Sequence, residues 1–211
     1  MRHAIWLFGV VSLAACTDSG KSDAPTCSIT APEDGGSARE GGAVKFEGTA
    51  SGEGSVTIAL SSDLDGDLGA ALTGGGAWGL STVALSVGTH QISLDVSDAA
   101  GSCSAEMLFT VGNPPTVFIT DPYLDDVIGN AAPVEFSASV SDDVDAPGDI
   151  AIAWEHDGTG LFGEDAADAD GVATAELSDL AVGAHSVTVT ATDTSGFYAS
   201  NTFTFTIDAA P

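Results

Sequence analysis

The sequence predicts an all-β chain of two tandem β-sandwiches, on three observations. First, ALSVGTHQISLDVSD (Ala84 to Asp98) returns as DLAVGAHSVTVTATD (Asp179 to Asp193), with Leu85/Leu180, Val87/Val182, Gly88/Gly183, His90/His185 and Asp98/Asp193 in register. A period of this size is too long for a solenoid unit and suits a small sandwich of roughly 100 residues written twice. Second, apolar residues alternate with period two in short runs bounded by Gly, Asp and Pro. Third, Gly112-Asn113-Pro114-Pro115 interrupts that pattern between the copies. Prolines remove backbone donors and stiffen the chain, so this break reads as a short, semi-rigid hinge that holds the modules end to end.

Taken in chain order, Met1 to Cys16 has the parts of an export signal: Arg2, the apolar stretch AIWLFGVVSLAA, and small residues before a cysteine. The run is too short for a membrane-spanning helix. Leu13-Ala14-Ala15-Cys16 resembles the lipobox of bacterial lipoproteins. That resemblance implies a signal peptide over 1–15, lipidation of Cys16, and an anchor strengthened by about 0.8 kcal/mol per buried methylene. An ordinary secretory signal with an incidental cysteine is the alternative. Thr17, where an aspartate would favour inner-membrane retention, implies the outer membrane, on its periplasmic or its outer face. Residues 16–26 complete the anchor with a small, polar, flexible tether.

The first sandwich is expected over 27–112. Its inward positions are Val44 and Phe46; Val56, Ile58 and Leu60; Ile92, Leu94 and Val96; and Met107, Phe109 and Val111. The second, over 113–211, has Val134, Phe136, Ala138 and Val140; Ile150, Ile152 and Trp154; Val187, Val189 and Ala191; and Phe203, Phe205 and Ile207. No segment after the signal reads as a helix longer than a turn. Each module is long enough to bury a core without a metal staple.

Charge narrows the partners. Against 31 acidic residues stand Arg2, Lys21, Arg39 and Lys45, and no Lys or Arg follows Lys45. Phosphate backbones need basic side chains to displace counterions, so nucleic-acid binding is excluded, as is direct attraction to an anionic membrane. The plain reading is a solvated acidic surface that keeps the protein soluble; the sharper one is that some carboxylates gather divalent cations.

Both modules resemble bacterial immunoglobulin-like domains of the PKD/HYR/Big type. The resemblance is carried by the opening Pro-x-x-x-Ile-Thr (Pro25 to Thr30, Pro115 to Thr120), by the inward Trp154 before Asp157-Gly158, and by the closing Gly-x-His…Asp-x-x-Gly. Where PKD domains carry Tyr this chain has His90 and His185, and Trp154-Glu-His-Asp-Gly158 replaces their Trp-x-Phe-Gly-Asp. First and last strands of such sandwiches can run side by side and parallel. The resemblance therefore implies a Cys27–Cys103 bridge in a compartment where disulfides persist; two buried free thiols is the alternative. Val117 and Phe197 stand near those places in the second module.

Candidate chemistry is sparse. Asp63-Leu-Asp65-Gly-Asp67 offers alternating carboxylates around a Gly-permitted turn, as calcium requires. Gly66 comes too early for an EF-hand loop, however, and the distal Glu is missing. An Asp/Gly turn is the alternative. Asp142, Asp143, Asp145 and Asp149 repel one another unless solvated or ion-bound, which makes them a second calcium candidate with Asp121, Asp125 and Asp126 as helpers. His90 and His185 read as structural, each alone in its module at the place where related domains bond an aromatic back to a turn. In Glu155-His156-Asp157 alternation lets only Glu155 and Asp157 converge, and no motif pairs a nucleophile with a base.

The expected function is non-catalytic: an outer-membrane lipoprotein displaying two immunoglobulin-like domains as a spacer or adhesion module. The alternatives are calcium-dependent binding of a glycan or protein, and an accessory subunit of a secreted enzyme.

Overall fold

The computed structural model describes residues 23–73, 76–81, 85–122, 127–129 and 133–209. The expected signal peptide, Cys16, Asp125 and Asp126 lie outside them. The first sandwich runs through β1 (Thr26–Ala31), β2 (Gly36–Arg39), β3 (Lys45–Ser51), β4 (Val56–Ser62), β5 (Gly66–Thr73), β6 (Gly76–Ser81), β7 (Gly88–Ser97) and β8 (Ser102–Gly112). The second repeats it with β9 (Thr116–Asp121), β10 (Val127–Gly129), β11 (Val134–Ser141), β12 (Ala151–His156), β13 (Gly160–Ala166), β14 (Val172–Leu177), β15 (Gly183–Thr192) and β16 (Tyr198–Asp208). The single helical piece among the described residues is the 3-10 turn Pro147–Asp149.

Sheet order is identical in the two copies. A three-stranded sheet, β1-β3-β6 or β9-β11-β14, faces a five-stranded one, β2-β8-β7-β4-β5 or β10-β16-β15-β12-β13. In both, the chain changes sheets after a cis X–Pro bond, Ala31–Pro32 or Asp121–Pro122. The short β2 and β10 then add parallel to β8 and β16.

Alternation places the core where the sequence put it. Every inward position named above is buried, in one hydrophobic cluster per sandwich. At about 1.5–3 kcal/mol for each fully buried Val, Leu, Ile or Phe, these clusters drive the fold. Trp78 joins the first cluster and Ala173 and Leu177 the second, from strands (β6 and β14) that show no clear alternation in the sequence. Aromatic packing is uneven. Phe136 meets Trp154, Phe162 and Phe205 at centroid distances of 5.6–6.0 Å, whereas the first core has, among the described residues, one such contact, Phe46 with Phe109 at 6.2 Å.

Cys27 and Cys103 form the expected disulfide, by a different route. Cys27 lies in β1, paired with Ala50 of β3, and Cys103 lies in β8, paired with Val96 of β7. The bridge therefore spans the two sheets rather than joining neighbouring parallel strands. The parallel neighbour of β8 is β2. Register also replaces Phe197 with Ala199 as the counterpart of Cys103, because Ala199 pairs with Ala191 as Cys103 pairs with Val96.

Candidate functional site

The recurring Val-Gly-x-His motif builds the same corner twice. Gly88 and Gly183 open β7 and β15 at φ +141° and +136°, a conformation that side chains rarely adopt. The histidine two residues on then bonds back to the carbonyl four residues before it: His90 Nε2 to Ser86 O at 2.8 Å, and His185 Nε2 to Ala181 O at 2.7 Å. A carbonyl only accepts, so in both rings Nε2 carries the hydrogen and Nδ1 of the neutral ring accepts.

In sandwich one that acceptor is served by Ser62, whose Oγ lies 2.8 Å from His90 Nδ1. The amides of Leu64 and Asp65 donate to Ser62 Oγ in turn, at 3.1 and 3.3 Å. A serine against a histidine has the outline of a nucleophile with its base. His90 is 0% exposed, however, and its second nitrogen is held by the Ser86 carbonyl, so no substrate reaches the pair. It is a structural joint, as expected of His90.

In sandwich two the serine's place belongs to His156, which pairs with Val187 as Ser62 pairs with Ile92. His156 is buried, and its Nε2 lies 2.9 Å from His185 Nδ1. Its Nδ1 accepts the amides of Gly158 and Thr159 at 3.2 and 3.1 Å, with Thr159 Oγ1 also at 3.1 Å. Asp157 Oδ1 stands 3.0 Å from His156 Nε2. Two expectations are corrected here. His185 is not alone in its module, and the residues that converge are His156 and Asp157 rather than Glu155 and Asp157. β12 ends at His156, so strand alternation no longer governs where Asp157 turns. Among the described residues, these are the one group of three His, Cys, Asp or Glu side chains with ligand atoms all within 4.8 Å of one another.

The aspartate loops are occupied differently. Asp63 Oδ1 accepts the Gln91 amide at 2.7 Å, Asp65 Oδ2 the Ser86 amide at 2.9 Å, and Asp67 Oδ1 the Gly69 amide at 2.9 Å. The Ser86 N–H, with the serine's own hydroxyl, holds the Asp65 carboxyl below the usual carboxylate range. These carboxylates tie the β4–β5 turn to its neighbours. In the β11–β12 loop, Asp142 Oδ1 accepts the amides of Val144 and Asp145, and Asp145 accepts the amide and hydroxyl of Thr194. Asp142 Oδ2 is buried and has no hydrogen-bond partner among the described residues. Nearby Asp193 is pushed up by burial and by the charges of Asp142 and Asp145. Asp149 is exposed in the 3-10 turn. Asp121 pairs with Ser137 while Ser141 pairs with Thr116. That sets Asp121 roughly 16 Å of strand away from the Asp142 end, so it is no helper there.

Asn113 joins the modules. Its Nδ2 donates to Glu40 Oε2 and Asp143 Oδ2, both at 2.8 Å, and its backbone N–H donates to Asp143 Oδ1 at 3.2 Å. Arg39 lies 5.5 Å from the Phe197 ring centroid; the other fixed cation of this sandwich, Lys45, pairs with Glu47.

No family model matches the chain, and no curated protein matches it. Solved structures do. An I-band fragment of titin is similar over 89% of this chain and 66% of its own, at 15% identity and TM-score 0.63. A Glu-to-Ala variant of the three-immunoglobulin titin fragment covers 90% and 67%, at 15% identity and TM-score 0.64. Dpr2 Ig1-Ig2 in complex with DIP-Theta covers 89% and 67%, at 12% identity and TM-score 0.50. These likenesses show the fold: the sandwiches are immunoglobulin-like.

Proposed function

We propose that this chain is a non-catalytic lipoprotein of the bacterial outer membrane, displaying two immunoglobulin-like domains (27–112 and 113–211) as a spacer or adhesion module. The junction carries the reading. A proline pair alone would stiffen the hinge; here Asn113 also bonds a carboxylate from each side, and Arg39 packs on Phe197. Such contacts suit a part whose task is to hold distance. The lipobox at Cys16 and the polar tether after it supply the anchor, and the acidic exterior keeps the displayed part soluble. The Ser62–His90 pair is buried and closed to substrate, so it is not read as a nucleophile with its base.

The anchor is tested by feeding labelled palmitate to cells that express the full chain. Wild type takes up label and fractionates with the outer membrane, whereas Cys16→Ser does neither. Label retained in Cys16→Ser contradicts the assignment.

One observation favours a second reading, calcium-dependent recognition of a protein or glycan. Asp142 keeps a buried, unpartnered oxygen beside Asp145 and Asp193, and a hard cation takes such carboxylates as ligands. An ion bound only to the native state stabilises it by about 2.7 kcal/mol at a hundred times its Kd. This reading predicts a saturable rise in unfolding temperature with calcium, absent with magnesium and lost in Asp142→Asn. Equal shifts with the two ions contradict it.

A further inference from the structure

We infer that His156, Asp157 and His185 form a binding site for a divalent cation of the zinc class, at the corner where β12 ends and β15 begins. The duplication inside the chain is the control. Sandwich one builds the same corner with Ser62 and His90, fully buried and hydrogen-bonded, so a hydroxyl meets the packing requirement. Sandwich two puts a second imidazole there. Its aspartate differs too: Asp63 accepts a backbone amide in sandwich one, while Asp157 turns to the imidazole of His156.

Two nitrogens and one carboxylate oxygen are a donor set that borderline transition ions prefer over calcium or magnesium. Zinc bonds of about 2.0–2.1 Å place tetrahedral ligands about 3.3 Å apart. His156 Nε2 stands 2.9 Å from His185 Nδ1 and 3.0 Å from Asp157 Oδ1, and the three ligand atoms all lie within 4.8 Å of one another, so the two distances to His156 need to widen by only a few tenths of an ångström. His185 is oriented as metal-bound histidines usually are, its far N–H fixed on a backbone carbonyl, Ala181 O. Asp157 is exposed and His185 partly so, which leaves a path for the ion and a fourth position for water.

Occupancy has one structural consequence. In the ion-free corner the hydrogen of His156 sits on Nε2. To ligate, that ring must carry its hydrogen on Nδ1 instead, where Thr159 Oγ1 at 3.1 Å can accept it. The amides of Gly158 and Thr159, which now donate to Nδ1, must turn away. Glycines at 158 and 160, the latter at φ +77°, make the turn easy to re-form. Binding is thus coupled to a local rearrangement that an ion held loosely by surface carboxylates would not cause.

The test is calorimetric titration of the purified full chain with zinc chloride, with calcium and magnesium as controls, followed by amide NMR. The expected result is one saturable zinc site that excess calcium does not displace, with the Gly158 and Thr159 resonances moving. Asp157→Asn, an exposed change, weakens binding at least tenfold. So does His156→Ser, which installs the residue that sandwich one uses and therefore keeps the fold. Absence of saturable zinc binding overturns the inference. So does unchanged affinity in Asp157→Asn, or zinc binding that leaves the Gly158 and Thr159 amides unmoved.

Discussion

Asp98 and Asp193 occupy the same place in the repeat and sit in opposite surroundings. In sandwich one the neighbouring loop offers backbone donors: Asp98 accepts the amides of Glu53, Ala100 and Gly101 at 2.7–3.0 Å, with Glu53 foremost in lowering its pKa. In sandwich two the neighbouring loop offers carboxylates, and Asp193 is pushed up by burial and then by Asp142 and Asp145. The disulfide divides the copies in the same way. Cys27–Cys103 ties the sheets of sandwich one, while Val117 and Ala199 leave sandwich two to an aromatic cluster around Phe136. What both copies keep, such as Gly88/Gly183 and the histidine bonded to the carbonyl four residues back, is what the backbone geometry requires. What only one copy has must be explained by something other than the fold.

The largest difference in stability should lie at the disulfide. Replacing Cys27 and Cys103 with alanine should destabilise sandwich one by about 2–5 kcal/mol, since the bridge closes a long loop. The unfolding of sandwich two should stay where it was in the same calorimetric scan. Equal loss in both would mean that the sandwiches unfold as one unit.

The histidine corners come next. His90→Ala leaves a buried cavity and strands the Ser86 carbonyl, for an expected loss of about 2–4 kcal/mol. His185→Ala, at a partly open corner, should cost about 1–2 kcal/mol in denaturant unfolding. A larger loss at His185 would reverse the ranking.

The aspartates give the smallest effect, and its sign differs between copies. The lowered pKa of Asp98 means that its contribution is present above about pH 3.9 and is lost as pH falls through the lowered value. Asp98→Asn should therefore weaken sandwich one at neutral pH. The raised pKa of Asp193 runs the other way: its contribution is present below that pH and is lost as pH rises through the raised value. Asp193→Asn keeps the oxygen that accepts the Phe197 amide and should strengthen sandwich two at neutral pH. Two variants of like sign in a pH series of melts would refute the contrast.

Much of this fold was legible because burial in a two-layer sheet imposes period two, and each inward residue from Val44 to Ile207 obeys it. Gly36–Arg39 and Val127–Gly129 escaped because so short a parallel pairing leaves no alternation to read. The disulfide partners were legible from the family resemblance, though not the sheets they join, since Cys27 precedes the crossing between sheets. The histidine corner was half legible. The repeat aligns His185 with His90, but the place of His156 follows from pairing across strands, which a single run does not record. A signal was present all the same: counting from Gly66 and Gly160 sets Ser62-Asp63 beside His156-Asp157.

The proposed spacer role requires the junction to hold the two sandwiches in one arrangement. Small-angle scattering of a chain that begins at Thr17, compared with the same chain carrying Asn113→Ala and Arg39→Ala, tests that arrangement. The wild type should give a narrow distance distribution that broadens in the variant, with both sandwiches still folded. A wild type as broad as the variant would show that the junction does not set the spacing, and the spacer reading would fall.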